Sequence, residues 1–445
     1  MNIIFLVLIS ISFILKVLSL STDFKKTLKC NHNTFFYSFK NWLEEHSIDF
    51  TEFNGNDDVN NQNNNKYKTK NPILSIKSKN LNSFLVHIIP SPLSLEMIQP
   101  SEQNHLLTTS FRLTDKNVIH LHEDVWKRHQ PIVKARLLSK IGHYESRIFA
   151  RKCIVRRIDK KTAIEFLKNN HLWGATNAKY NYALFYNDEI VAITSFSPRR
   201  NVKRGKNGTN FRSHELIRFC TSLGITVIGG LSKLIKAFIR EHSPDDIITT
   251  IDRDFGSIDS WVGLGFRLVC NHPPLPMVID ANRPGLRLYL LGAGLAEYPN
   301  TYKKNDDNNN EDIFSKRFAL PVPVLGELNE LNQHQNQFQL QDEQNHENSD
   351  EMKINADGVR RCLSKHGYFI VYDAGIARML LPLHHKNTKH VNNDDNDHDY
   401  KYETDVTELW QHSVPCFPLQ YYSNNAGVMA LVREAAHNFP NISLS

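Results

Sequence analysis

Between Tyr182 and Val269 the apolar residues change their spacing in an order that few folds accommodate. Tyr182–Tyr186 and Ile190–Thr194 are strand-length apolar runs joined by Asn187-Asp188-Glu189, which reads as a hairpin. Glu215–Cys220 is a further strand. After Gly229-Gly230 the spacing lengthens: Leu231, Leu234, Ile235, Phe238 and Ile239 share one face, with Lys233, Lys236 and Arg240 on the other. That period predicts an amphipathic helix over Gly229–Glu241. Ile247–Ile251 then reads as a strand, Ser257–Leu264 as a short helix and Phe266–Val269 as a strand; a helix near Thr162–Asn169 precedes the hairpin. A helix between two strands demands a crossover, so the fold class is α/β in the broad sense that includes α+β, built on a mixed sheet.

At 445 residues the chain is long enough for two domains, and 40% apolar with 22% charged residues is an ordinary globular balance. The net charge of +6 permits nucleic-acid binding and is equally met by a solvated surface. Ile3–Leu15 is an apolar run too short to span a membrane comfortably; ended by Lys16 and a short run to Ser21, it fits a secretory signal peptide over 1–21. Its removal would leave no stable membrane span. The basic stretch Lys25, Lys26, Lys29 behind it fits passage through the secretory pathway to a plastid. Cys30, Cys153, Cys220, Cys270, Cys362 and Cys416 are scattered, which suits thiols in a reducing compartment better than a disulfide scaffold. Asn207 and Asn441 are glycosylation sequons only if the chain stays in the secretory pathway.

Polar low-complexity tracts at Asn56–Asn65, Lys303–Asp312, Gln333–Asn348 and Asn392–Asp399 cannot bury enough surface to order themselves. They imply an N-terminal domain over 30–150, a second domain over 151–383 with a disordered insertion about 301–354, and a polar tail over 384–445. His384, His385, His390 and His398 lie in such a tract with no ligand spacing, so no metal site is expected.

The order of hairpin, strand, glycine turn, helix, strand, helix and strand resembles the GNAT acyltransferase superfamily, on Gly229-Gly230-Leu231-Ser232-Lys233-Leu234 and Leu264-Gly265-Phe266. The resemblance implies coenzyme A or acetyl-CoA as cofactor, its pyrophosphate held by backbone N–H groups of Thr226, Val227, Ile228, Gly229, Gly230, Leu231 and Ser232. Orphan donors and the helix dipole attract an anion at such a terminus. Thr226 and Leu231 depart from the superfamily's Arg/Gln-x-x-Gly-x-Gly/Ala pattern, and Trp261 stands where a tyrosine acid is common. An indole N–H does not replace that acid. Glu215 is the candidate base.

The chain also resembles a narrower family, mobile-element endonucleases in which a Vsr-like nuclease domain precedes a GNAT-like domain. The matching segments include His105-Leu106, Val118–Trp126, Ile132–Leu137, Ile148–Cys153, Phe166–His171, Asp252-Arg253 and Gly367–Gly375, the last as the closing strand of the second domain. Only Glu96 remains of the metal-binding set of the nuclease half, with Glu123 nearby, and the Asp position falls near Val86. Metal-dependent cleavage needs several clustered oxygen ligands. The resemblance therefore implies a degenerate restriction-endonuclease-like domain without cleavage. Two functions follow from the two resemblances. One is a nucleic-acid-associated protein that binds DNA or RNA through Arg151, Lys152, Arg199, Arg200, Lys203 and Arg204, which are expected to form one phosphate-tracking surface. The other is a coenzyme A-dependent N-acyltransferase.

Overall fold

The computed structural model describes residues 34–53, 69–78, 83–204, 209–282, 287–289, 324, 327–328, 349–383 and 426–439. The leader, the four polar tracts, the His-rich stretch and both sequons lie outside these residues. No helix among the described residues is long and apolar enough to cross a membrane.

The N-terminal unit runs α1 (34–45), β1 (Phe50–Glu52), β2 (Ile73–Ile76), β3 (Phe84–Ile89), α2 (Gln103–Arg112), β4 (Val118–His122) and α3 (Glu123–Ile141). Its sheet has the order β1-β2-β3-β4, antiparallel except for the parallel pair β3/β4. Every residue of Phe-Leu-Val-His-Ile-Ile in β3 is buried, as expected of a strand covered on both faces. Phe39, Trp42 and Trp126 pack edge-on or tilted in one cluster at 5.3–5.7 Å between ring centroids. Pro131 lies inside α3 and lacks the N–H the ladder needs; the helix is kinked at His129, φ −117°.

The central unit comprises β5 (Ser146–Phe149), β6 (Ile154–Arg157), α4 (Lys160–Asn170), β7 (Tyr180–Tyr186), β8 (Glu189–Phe196), β9 (Arg200–Arg204), β10 (Thr209–Thr221), β11 (Ile225–Ile228), α5 (Gly230–His242), β12 (Asp246–Asp252), α6 (Asp259–Val262) and β13 (Arg267–His272). Beyond it lie β14 (Pro276–Asp280), β15 (Arg287–Tyr289), α7 (Ser349–Lys365), β16 (Tyr368–Tyr372), β17 (Ile376–Pro382) and α8 (Ala426–His437). The central sheet has the order β13-β17-β12-β10-β8-β7-β6, with β9 added to β10, and β10/β12 is its parallel pair. Mixed sheets with helices between their strands make the chain α+β. The apolar stripe of α5 buries Leu234, Ile235 and Phe238 on this sheet, with Phe238 stacked on Phe196 at 3.8 Å.

Four boundaries differ from the expected ones. Tyr368–Tyr372 is not the closing strand of the central sheet: it pairs with β14 in a separate three-stranded sheet, and β17 closes the central one. Gly375, at φ +83° with His272 O only 2.4 Å from any added Cβ, makes the bend between the two. Within the expected insertion, Val324 and Leu328 are buried and α7 already begins at Ser349. The tail is not wholly polar, since Leu431 and Ala435 of α8 join Val324, Leu328 and Leu363 in one apolar cluster. Finally, β5 belongs to the central unit through its pairing with β11, so the junction falls before Ser146.

The units meet in a buried polar belt. His120 donates its backbone N–H to Asp254 O at 2.9 Å, and the Asp254 carboxylate accepts from Ala374 N at 2.8 Å. Arg253 reaches His105 and the Ala374 carbonyl. Arg287 binds Asp124 through two hydrogen bonds of 2.7 and 2.8 Å.

Candidate active site

The parallel pair β10/β12 is short: it holds only from Ser213↔Asp246 to Leu216↔Thr249. Immediately beyond, the β10/β8 register shifts between Leu216 and Arg218. A bulge bends the strand that carries it, so β10 turns away from β12 where their hydrogen bonds stop. The two strands open into a cleft of about 460 Å³. Its floor is the far end of β10, including Arg218 and Cys220, and the end of β12 at Asp252. His171 and Trp173, after α4, form one wall, Trp261 of α6 another, and Arg136 of α3 comes in from the N-terminal unit.

Trp173 organises the polar groups. Its indole N–H donates to Asp252 Oδ2 at 2.9 Å, and its backbone N–H donates to His171 Nδ1 at 3.1 Å. The other Asp252 oxygen accepts from Asp254 N at 2.8 Å. Burial, then the Arg218 and Arg136 charges, hold His171 well below its ordinary pKa, so the ring is neutral. With Nδ1 accepting, its proton sits on Nε2. Burial pushes the Cys220 thiol up to about 12, against the pull of Arg136 and Arg218, so it stays protonated. Burial lowers Arg136, while Asp252 and Cys220 raise it. A guanidinium starting from such a high value remains charged. Arg136 is nonetheless open to water within the cleft, lying over the Phe255 ring at 5.3 Å. Enclosure by surrounding protein and contact with water are compatible in a wide polar cleft.

The residues predicted from sequence are dispersed. Glu215 is not in the cleft: its carboxylate faces Arg200 at 3.5 Å, and its backbone is tied to Ser197. Thr226, Val227 and Ile228 are not an open loop but strand β11, paired with Arg147, Ile148 and Phe149. That pairing engages part of their backbone, leaving Gly229 as the turn and Gly230, Leu231 and Ser232 as the first residues of α5. Gly229 has φ +73° and no side chain caps α5. A Cβ on Gly230 would meet Val227 Cγ1 at 3.0 Å, so this glycine serves packing. Arg151 and Lys152 are exposed beside the turn, since Ala150 Cβ lies 3.8 Å from the Cβ position of Gly229. Trp261, where the resemblance implies an acid, does line the cleft.

The predicted basic residues lie on separate elements of the central unit, Arg151 and Lys152 on a 3-10 turn after β5 and Arg200–Arg204 on β9. Arg200–Arg204 forms an antiparallel hairpin with Thr209–Ser213, whereas Ile154–Arg157 is the far edge strand. Arg156 pairs with Asp188 and Arg157 with Glu241. The side chain of Arg204 lies outside the described residues.

In the N-terminal unit Glu96 sits exposed on a short 3-10 turn, Leu95–Met97, beyond the end of β3. Glu123 is buried and structural, accepting from Ser91 N at 2.8 Å and pairing with Lys127 at 2.6 Å. Among the described residues no group of three or more His, Cys, Asp or Glu is placed to hold a metal ion. His171, Trp173 and Asp252 were not singled out as site residues from sequence. Asp252 does open one of the matching segments and His171 closes another, which was the available signal.

No protein-family model matches the chain, and no curated protein matches it by sequence. Among solved structures it is similar to a GNAT family acetyltransferase from Elizabethkingia anophelis with acetyl-CoA bound, at 12% identity over 27% of this chain and 80% of that one, TM-score 0.19. It is similar to an IAA acetyltransferase from Bacillus cereus ATCC 14579 at 12% identity, covering 27% and 81% of the two chains, TM-score 0.20. A GCN5-related N-acetyltransferase from Kribbella flavida shares 11% identity over 30% of this chain and 37% of that one, TM-score 0.20. Likenesses at these TM-scores decide nothing about the site.

Proposed function

We propose that the central unit is a coenzyme A-dependent acyltransferase of the GNAT type, with its reaction centre in the cleft between β10 and β12. The observation that supports this reading is the parallel pair that ends at a bulge, because it opens a cleft lined at one side by Leu223, Gly224 and Ile225, the last of which begins the strand that precedes the Gly229 turn. That turn fits a pyrophosphate: α5 has no side-chain cap, and Arg151 and Lys152 stand beside its N-terminus. Coenzyme A would supply a thioester-activated acyl group there. The chain's own part is to bind and orient the acceptor. Asp252, held at both oxygens by Trp173 and Asp254 N, is placed to hold an acceptor ammonium and take its proton. His171 offers an Nε2–H donor alongside. Neither Trp261 nor a thiol with a pKa of about 12 supplies an acid of ordinary strength, so no side-chain proton donor is assigned.

Calorimetry of the full chain with coenzyme A is expected to show saturable binding at one site. Reversing Arg151 and Lys152 together to Glu is expected to weaken it by roughly tenfold or more, through two lost charge contacts. A wild-type chain that binds neither coenzyme A nor acetyl-CoA overturns the proposal.

A second reading keeps DNA or RNA as partner of a chain descended from a mobile-element endonuclease. It is supported by the exposed Arg199 and Lys203 of the β9–β10 hairpin, since β9 pairs on one side alone among the described residues. Binding to duplex DNA should then fall with log salt at a slope of about −0.9 per phosphate neutralised. Replacing Arg199 and Lys203 by Ala should make that slope shallower by about 2. A salt-insensitive interaction, or none, removes this reading.

A further inference from the structure

We infer that the cleft takes an amino-acid-like acceptor, an amine that also carries a carboxylate, and that Arg136 from the N-terminal unit binds the carboxylate. The cleft holds two guanidiniums, Arg136 and Arg218, against the single carboxylate of Asp252; His171 is neutral and Cys220 protonated. An excess of positive charge inside a walled cleft favours an anionic ligand far more than the same charge on an open surface. Lys140, one helical turn beyond Arg136, adds to this field; burial and Arg136 bring its pKa down to about 8.

Arg136 is the arginine with capacity to spare. Among the described residues its guanidinium makes no hydrogen bond or ion pair, and its ordered contact is the Phe255 ring beneath it. A guanidinium supported on one face by an aromatic ring keeps its planar donor edge for a bidentate partner, and a carboxylate matches that edge. Arg218, by contrast, already donates to the Ile217 carbonyl at 2.9 Å. Asp252, held by Trp173, presents the opposite charge in the same cleft. A zwitterion with its carboxylate toward Arg136 and its ammonium toward Asp252 satisfies both ends. The volume of about 460 Å³ suits a molecule of amino-acid size together with an acyl group. The N-terminal unit is therefore part of the acceptor site, which the central unit alone would leave without its carboxylate partner.

The amine's role rests on the acyl-transfer reading; the carboxylate's binding does not. The test is calorimetry on the full chain, without coenzyme A, using matched triples of probes: a free L-amino acid, its carboxamide and its decarboxylated amine. The triples cover apolar, aromatic, basic and acidic side chains. At least one free amino acid is expected to bind, with its amide and amine roughly tenfold or more weaker. Arg136→Gln is expected to remove that preference and Arg136→Lys to restore part of it, both with coenzyme A affinity and thermal midpoint unchanged. The inference is overturned if no free amino acid binds, if amide and acid bind equally, or if Arg136→Gln retains the preference. Carboxylate-selective binding in a chain that fails to bind coenzyme A would instead sink the acyl-transfer reading and leave this one standing.

Discussion

Lowering the pH from 7 to 5.5 is expected to cost the folded protein several kcal/mol. Burial holds His87, His105 and His122 at about 3, His272 at about 4, and His120 and His171 well below their ordinary value. These rings stay neutral in the folded chain, whereas the unfolded chain takes up protons below about pH 6.5. The unfolded state then binds more protons, so stability falls as the pH drops below that value. Each ring loses about 1.2 kcal/mol over this interval, or roughly 7 kcal/mol for all of them. Asp254 and Asp373 act in the opposite sense. Burial raises both carboxyls well above their ordinary range, and together they return at most about 4 kcal/mol. A net loss near 3 kcal/mol remains, a large part of the usual 5–15 kcal/mol of a folded domain.

The geometry at His87 and His120 explains why protonation is refused. Thr69, His87, His120 and Thr108 form one hydrogen-bonded chain, with His87 Nδ1 and His120 Nδ1 at 3.0 Å. One nitrogen must donate and the other accept; a further proton would set two donors face to face with no water to relieve them. Urea denaturation followed by tryptophan fluorescence at both pH values checks this. Equal midpoints would contradict it.

Replacing Asp124 by Ala is expected to destabilise the protein by about 3–5 kcal/mol, because it leaves the Arg287 charge in the interior without its carboxylate. The side chains are 1% and 9% exposed, and the guanidinium binds both carboxylate oxygens. Burial alone would raise the Asp124 pKa; the Arg287 charge and hydrogen bonds outweigh it and hold the group below its ordinary value. Its stabilising contribution is thus present above about pH 4 and disappears as the pH falls through the lowered value. The double variant Asp124→Leu/Arg287→Met is expected to recover most of the loss, since an apolar pair needs no desolvation of charge. Urea midpoints of the single and double variants decide it; a single variant within about 1 kcal/mol of wild type means the pair does not hold the belt together.

The elements of the central unit were legible because their signals are local. The period of Leu231, Leu234, Ile235 and Phe238 marks α5 wherever the chain is read, and Asn187-Asp188 marks the hairpin, both residues taking positive φ there. The third sheet was not legible. Tyr368–Tyr372 and Ile376–Pro382 are both strand-like, and nothing in either run states which sheet it joins. Helix α8 was missed although Leu431, Val432 and Ala435 carry helical spacing, because the apolar cluster it joins is built from Val278, Val324, Leu328, α7 and β16, all distant from it along the chain.

The site divides in the same way. A glycine turn before an amphipathic helix is a property of consecutive residues, so Gly229 and Gly230 could be found by reading. What reading could not supply is the cleft. Its cause is a bulge near Ile217, and its walls come from α3, the segment after α4, the end of β12 and α6. Arg136 and Asp252 are 116 residues apart by their own numbers, and no local pattern couples them. By itself the sequence determined the hairpin, α5 and the strand that follows that helix, since periodicity is set by neighbouring residues. Only the tertiary structure decided which charges face one another, because the field in a cleft depends on distances through space.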